Sequence, residues 1–357
     1  MKTTFITAAA ASCLALSAGA QDLNVVSWGG AYEAAQTQAF NVPFTEATGI
    51  RVNMQAADNP AVLLKAQVEA GNVTADVWDI ELSDAIRLCD EGALMEIDPA
   101  DLPAGSDGTP AVDDFIDGAL PGCAVANMVF STVIAFNNDR FTDAPTTARD
   151  FFDLDTYPGK RGLQRMAKRS LYLALIADGV PSDQVYDELA TDAGVDRAFA
   201  KLDGIKSDIV WWEAGAQPIQ LLADGEVAMT TAYNGRVFDA MVAENQPFTV
   251  IWDGQYLDMD LFAIPKGAPN PELALDYVKF ATATEQGVRQ TEFIAYGPPR
   301  KSGAAQVGTY KDGVTDMAPH MPTNPAYLGN AFLDDPEFWA DRDAELTERF
   351  NAWLASN

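Results

Sequence analysis

Histidine is almost missing from this chain: the one residue is His320, in Pro319-His320-Met321-Pro322. A lone histidine cannot build the histidine-and-carboxylate set of a zinc site at its usual spacing. No Gly-x-Ser-x-Gly elbow and no phosphate-cradling Walker-type loop occurs, and Gly29-Gly30 alone is too short a signal for one. Enzymatic chemistry is left with carboxylates, so a carboxylate-dependent hydrolase stays open as a remote alternative. The expectation is a protein that is not an enzyme and holds no metal or cofactor.

Basic residues are also scarce. The 23 lysines and arginines face 52 acidic residues, a formal net charge of -29. Such a field repels nucleic acid and anionic membrane surfaces, so neither is expected as a partner. It attracts cations when salt is low. Solubility in a salty habitat is an equal explanation, because steering fades once screening shortens to several Å.

Long apolar runs are lacking beyond the N-terminus. The stretch 125–136 is interrupted by Asn127, Ser131 and Thr132 and falls short of the roughly 20 residues a membrane helix needs. The N-terminus reads as a secretory signal peptide: Lys2, an alanine-rich apolar stretch over 5–16, then small residues up to Ala20, where cleavage is expected. Cysteine is sparse too. Cys13 leaves with the leader, and no Cys-x-x-Cys is present. Cys89 and Cys123 remain, and an even pair in an exported chain favours a disulfide over two buried thiols.

About 335 residues follow the leader, more than one hydrophobic core usually supports, so two domains are expected. Apolar strands at 22–28, 50–55 and 75–80 alternate with helices after Gly30, from Pro60 to Glu69, and from Ser83 to Gly92. That alternation predicts an α/β layered sheet. Further strands are expected at 129–137, 209–212, 227–233 and 257–264, with helices at 170–178, 182–190, 217–224 and 271–283. Ligands on such sheets sit beyond the C-terminal ends of the strands. This singles out Trp28 with Gly29-Gly30, and Glu81 with Ser83.

The motifs carry a family resemblance. The run Val-Ser-Trp-Gly-Gly-Ala-Tyr at 26–32, Ala-Asp-Val-Trp-Asp-Ile at 75–80, the segment 221–229 and Asp-Leu-Phe-Ala-Ile-Pro-Lys-Gly-Ala at 260–268 resemble bacterial extracellular solute-binding proteins of the spermidine/putrescine type. The resemblance spans the whole mature chain. It implies a type II periplasmic-binding-protein fold, two α/β lobes joined by two hinge strands that close on one ligand. It implies a soluble, periplasmic monomer that serves an inner-membrane ABC permease and its ATPase. Lobe 1 is expected at 21–131, lobe 2 at 132–256, and a return to lobe 1 with C-terminal helices at 257–357. The crossings are expected near 131–135 and 256–263.

Trp211-Trp212-Glu213-Ala214-Gly215-Ala216-Gln217 and Tyr233-Asn234-Gly235-Arg236 resemble the branch that includes γ-aminobutyrate binders. There the arginine is similar to a clamp for a ligand carboxylate, and an acid in the position of Asp260 to an anchor for an amine. Tyr233 departs from the tryptophan expected in that run.

The chemistry points the same way. An ammonium calls for a carboxylate and an aromatic face. Trp28, Tyr32, Trp211, Trp212, Tyr233 and Tyr256 offer faces; Glu81, Glu213, Asp258 and Asp260 offer charge. A polyamine gives Arg236 nothing to hold, whereas a carboxylate suits its bidentate fork. The expected ligand is a small amine-bearing solute, with an ω-amino acid slightly ahead of putrescine or spermidine. Alternatives stay open at single positions. Asp260 can serve a ligand or a lobe-closing salt bridge, Arg236 can bridge to an acid across the hinge, and Glu81 can cap a helix. Trp211 and Trp212 must face opposite ways on a strand, with Trp212 assigned to the cleft.

Overall fold

The computed structural model describes residues 22–356; the expected leader and Cys13 lie outside them. Among the described residues, nine strands form one continuous sheet: β1 (Leu23–Ser27), β2 (Val52–Ala56), β3 (Val77–Glu81), β4 (Ala124–Asn137), β5 (Arg161–Gln164), β6 (Ile209–Trp212), β7 (Met229–Tyr233), β8 (Phe248–Ala263) and β9 (Phe332–Leu333). The order is β2-β1-β3-β8-β4-β7-β5-β6, with β9 beside β8. At each end the strands pair in parallel, β1 with β2 and β3, β5 with β6 and β7. Their connections carry helices, as parallel pairing requires.

Two long antiparallel strands, β4 and β8, run through the middle and belong to both ends. Apart from Asn137 the whole of β4 is buried, which explains why it reads as a near-continuous apolar run. The β4–β8 register slips between Ala126 and Met128 and again between Thr132 and Ile134. Such irregularities bend and twist a strand pair, and they lie where the chain passes from one half to the other. The strand expected to begin at 257 instead starts at Phe248; its first residues pair with Ile134 to Asn137 in the second half.

Two separate hydrophobic cores flank this junction. The first gathers Leu23, Trp78 and Val125 with Phe262 and Tyr277 from the returning chain. The second gathers Phe151, Leu171 and Met229 with Trp339, Leu346 and Phe350 of the terminal helix Pro336–Ala355. The return after residue 257 therefore divides: its first part rejoins the first core, and its last helix packs into the second. Among the described residues no helix is long and apolar enough to cross a membrane.

Local signals account for the elements around the cleft. Asn59 caps the helix Pro60–Glu69 through a 3.1 Å bond from the Val62 N–H, and Pro60 occupies the first turn, where its missing N–H costs nothing. Cys89 and Cys123 form a disulfide with Cα atoms 5.7 Å apart, tying the helix Leu82–Asp90 to the start of β4.

Candidate ligand-binding cleft

A cleft of about 300 Å³ opens between the two halves. Its walls are the C-terminal ends of strands from both. Trp28 follows β1, Glu81 ends β3, Gln164 ends β5 and Tyr233 ends β7, and all four line it. The hinge strands supply Met128, Phe130 and Asp260, and Tyr296 arrives from the segment after residue 291.

Arg236 reaches the cleft from the first turns of the helix Asn234–Val242. Its Nη2 donates across the gap to the carbonyls of Trp28 at 3.2 Å and Gly29 at 3.1 Å. Its Nε is buried without a partner. Two glycines make room for it. A Cβ at Gly30, whose φ is +64°, would lie 2.6 Å from Arg236 Nη1; one at Gly215 would lie 3.0 Å from Nε and 2.9 Å from the Tyr233 ring. The open bridge from Arg236 to an acid is thus replaced by bonds to carbonyls, since Glu213 pairs with Arg165 and Asp258 with Arg169 and Lys168.

Asp260 stands opposite Glu81 in the β3–β8 pairing. It is buried, it lines the cleft, and its Oδ1 has no partner. Burial raises its pKa well above the carboxylate range, and the charges of Asp79, Glu81 and Asp258 add to that; Arg169 opposes them. A buried acid in this state calls for a cation. Asp79, beneath it, is satisfied: Gln36 and Ser27 donate to one oxygen and Asn127 to the other, and burial still pushes it up to about 6. Tyr32 donates to Asn127 at 2.7 Å, so this network fixes the ring of a cleft residue.

A second buried polar cluster links the halves beside the cleft. Arg169 Nη2 donates to Asp258 at 2.9 Å and Glu81 at 3.2 Å, with its guanidinium 4.1 Å over the Tyr256 ring. Lys168 donates to Ser83 at 3.2 Å and pairs with Asp334 at 2.7 Å. Burial pushes Glu81 up to about 7 even though the Arg169 charge pulls it down. The lobe-bridging salt bridge considered for Asp260 is made by Asp258 and Glu81.

Of the expected residues, Trp28, Tyr32, Glu81, Tyr233, Arg236 and Asp260 come together in the cleft. Ser83, Trp212 and Asp258 do not line it: Ser83 and Asp258 are engaged by Lys168 and Arg169. Trp212 does turn away from Trp211, which packs on Phe350 and Trp353. It is buried edge-to-face against Tyr233 at 5.8 Å, and Tyr233 is the ring on the cleft. Glu213 lies at the rim, exposed and paired. Sequence reasoning missed Gln164, Met128, Phe130 and Tyr296. It also missed Lys168-Arg169, whose visible signal is two cations at the start of an otherwise apolar helix, Ala167–Ala177. Among the described residues, no group of three or more His, Cys, Asp or Glu side chains is placed to hold a metal ion.

Two lobes joined by two long strands, with a charged and aromatic cleft between them, define the class of two-lobed solute-binding proteins. Residues 39–323 match the family of bacterial extracellular solute-binding proteins, and the chain belongs to that family. More particularly, it is 41% identical over 341 residues to the gamma-aminobutyric acid-binding protein of Pseudomonas aeruginosa, covering 96% of this chain and 93% of that one. A solved GABA receptor is 30% identical, with a TM-score of 0.78 and coverage of 94% and 98%. The PBP MotA from A. tumefaciens B6, solved in complex with glucopine, is 29% identical with a TM-score of 0.84, covering 94% and 100%. These relatives are binding proteins and a receptor, not enzymes.

Proposed function

We propose that this protein captures a small zwitterion, an ω-amino acid of the γ-aminobutyrate kind, and delivers it as a periplasmic monomer to an inner-membrane ABC permease with its ATPase. The reading places the protein beyond the inner membrane once a leader ending near Ala20 is removed. One observation carries the choice of ligand. A single cleft holds a buried acceptor without a partner, Asp260 Oδ1, and buried donors without partners, Arg236 Nε and Trp28 Nε1. An amine answers the first and a carboxylate the second. Tyr296 lines the same cleft as both groups: burial raises its pKa, the Arg236 charge opposes that and the Asp260 charge adds to it.

Putrescine or spermidine would satisfy Asp260 but would meet Arg236 as a like charge, a juxtaposition that costs several kcal/mol. Three further acids line the cleft and favour that second reading, Asp58, Asp84 and Glu213, of which the last two already pair with Arg87 and Arg165. In the working cycle, lobe 1 (21–131 with the return from 257) and lobe 2 (132–256 with the terminal helix) rotate about β4 and β8. Opening breaks the bonds from Arg236 to Trp28 and Gly29 and from Arg169 to Glu81.

Titration calorimetry of the wild type and of Arg236→Ala decides between the ligands. Loss of the clamp should cost about 2–5 kcal/mol of affinity for γ-aminobutyrate, as for a buried charge pair that loses one member. A wild type that ignores γ-aminobutyrate, with a variant that binds putrescine as tightly or better, establishes the polyamine reading instead.

A further inference from the structure

The cleft contains a second buried acceptor without a partner. Gln164 is 5% exposed, and its Nε2 donates to the Tyr233 hydroxyl at 3.0 Å. That bond leaves Gln164 Oε1 buried, at the cleft, and without a partner. Gln164 is tied to both sides of the cleft: the Tyr233 ring it bonds shares the space over Gly215 with Arg236 Nε, and its backbone meets the helix that carries Arg169. The Ser170 hydroxyl donates to the Gln164 carbonyl at 3.1 Å, which holds the residue at the start of the helix carrying Arg169. Arg169 binds Glu81, and Glu81 faces Asp260 in the sheet. Burial raises the pKa of the Tyr233 hydroxyl to which Gln164 is joined; the Glu81 charge adds to that, and Arg169, the Gln164 bond and Arg236 oppose it.

We infer that Gln164 Oε1 and Asp260 Oδ1 together select a primary ammonium and reject its N-methylated forms. This rests on the reading of the cleft as an amine site. A primary ammonium carries three N–H donors on one centre, enough for both oxygens at once. Each N-methyl group removes a donor, and a trimethylammonium has none. Both acceptors would then be sealed in without water or partner, and leaving a buried acceptor unmade costs more than a typical bond contributes.

Aromatic rings could favour the opposite class, because quaternary amines bind in boxes of ring faces. The rings here are committed to one another. Tyr32 meets Tyr296 edge-to-face at 5.4 Å, and Phe130 meets Tyr233 at 5.4 Å and Tyr296 at 6.3 Å in the same manner. The wall is a packed aromatic cluster, with hydrogen-bonding atoms at its polar edge.

The test is calorimetry of the wild type with γ-aminobutyrate and its N-methyl, N,N-dimethyl and N,N,N-trimethyl derivatives, repeated on Gln164→Leu and Gln164→Glu. The affinity should fall with each methyl and reach a roughly 100-fold loss for the trimethyl form, as expected for two charge-assisted bonds unmade. Gln164→Leu should weaken the primary amine about tenfold or more and narrow its advantage over the trimethyl form. Gln164→Glu keeps an acceptor and should retain the advantage. Equal or tighter binding of the trimethyl form overturns the inference, and so does a primary-to-trimethyl ratio unchanged by Gln164→Leu. A Gln164→Glu variant that binds γ-aminobutyrate more weakly than Gln164→Leu also overturns it, by showing that the amide turns its NH2 to the ligand. If the wild type ignores every amino acid offered, the proposed ligand class has failed. Putrescine against its fully N-methylated form then tests the amine selection by itself, with the same outcomes on either side.

Discussion

Asp258 and Asp260 sit two residues apart on β8, on the same face of one hinge strand, and both are buried. Around Asp258 the charges are closed: Arg169 and Lys168 lie on one side, and the Met259 N–H donates to the other oxygen. Around Asp260 they are open, with one oxygen unanswered and the cleft in front of it. Two copies of one residue thus divide the work of the hinge. The first is held by Arg169 and Lys168, and the second, unpartnered at the cleft, is the group proposed to take the amine of the ligand. The lesson is that a buried acid is read by what neutralises it. Neither its depth nor its place on the strand tells the two apart.

Exchanging the charge at each position breaks this comparison most directly. Asp258→Asn strips a partner from two buried cations and should cost about 3 kcal/mol or more of folding stability in urea titration, the size of a broken buried pair. Asp260→Asn removes a carboxylate that has no counter-ion, so the ligand-free protein should keep or gain stability while amine affinity falls by about 2–5 kcal/mol. Equal losses of stability in the two variants would mean that Asp260 is structurally paired after all.

The disulfide sharpens the contrast between the lobes, since only the first is cross-linked. Free-thiol titration of the denatured, unreduced mature protein should find none. Reduction should cost about 3–4 kcal/mol, the loop-closure entropy of a 34-residue separation. The loss belongs to the core around Trp78 and Leu88; hydrogen exchange should speed up there before it does around Leu171. Uniform acceleration across both cores would show that they unfold as one.

The smallest expected effect is the pH dependence, and its sign differs between folding and amine binding. Glu81, which shares Arg169 with Asp258, is raised by burial from 4.5 to about 7, so the folded state holds a proton there that the unfolded chain has released. Its contribution is complete below about pH 4.5 and is lost as pH climbs to about 7. The ligand-free protein should therefore lose stability over that window. Amine binding favours ionised Asp260, whose pKa is also raised in the empty cleft. Affinity should rise with pH, by at most about tenfold per unit for one proton, with protons released to the buffer. Calorimetry in buffers of different ionisation enthalpy measures that release. Proton uptake on binding would contradict the assignment of Asp260 as the amine partner.

Much of the scaffold was legible because its signals are local. The helix Pro60–Glu69 announces itself by Asn59 and Pro60, and strand β6 by its apolar run. Strand β5, Arg161–Gln164, was passed over: four residues, Arg-Gly-Leu-Gln, carry neither alternation nor an apolar run. Gln164 was lost with it. Alternation turned Trp212 away from Trp211, but depth within the wall depends on Tyr233, brought from 21 residues later. The length of β8 is underestimated because its first six residues are mostly half-buried and show no alternation, while the remaining ten are all buried, so one strand carries two patterns.

By itself, then, the sequence determined the rhythm of strands and helices, the pairing of the two remaining cysteines, and a set of aromatic and charged residues at strand ends. These follow from short-range periodicity, turn chemistry and composition. Only the tertiary structure decided which charges are spent and which are free. Arg169 meets Asp258 across 89 positions of chain and Arg236 meets Trp28 across 208. No local pattern encodes a contact at that separation. Whether a buried carboxylate is neutralised depends on which distant side chain the packing of two lobes delivers to it, and that decides that Asp260, not Asp258, faces the cleft unpaired.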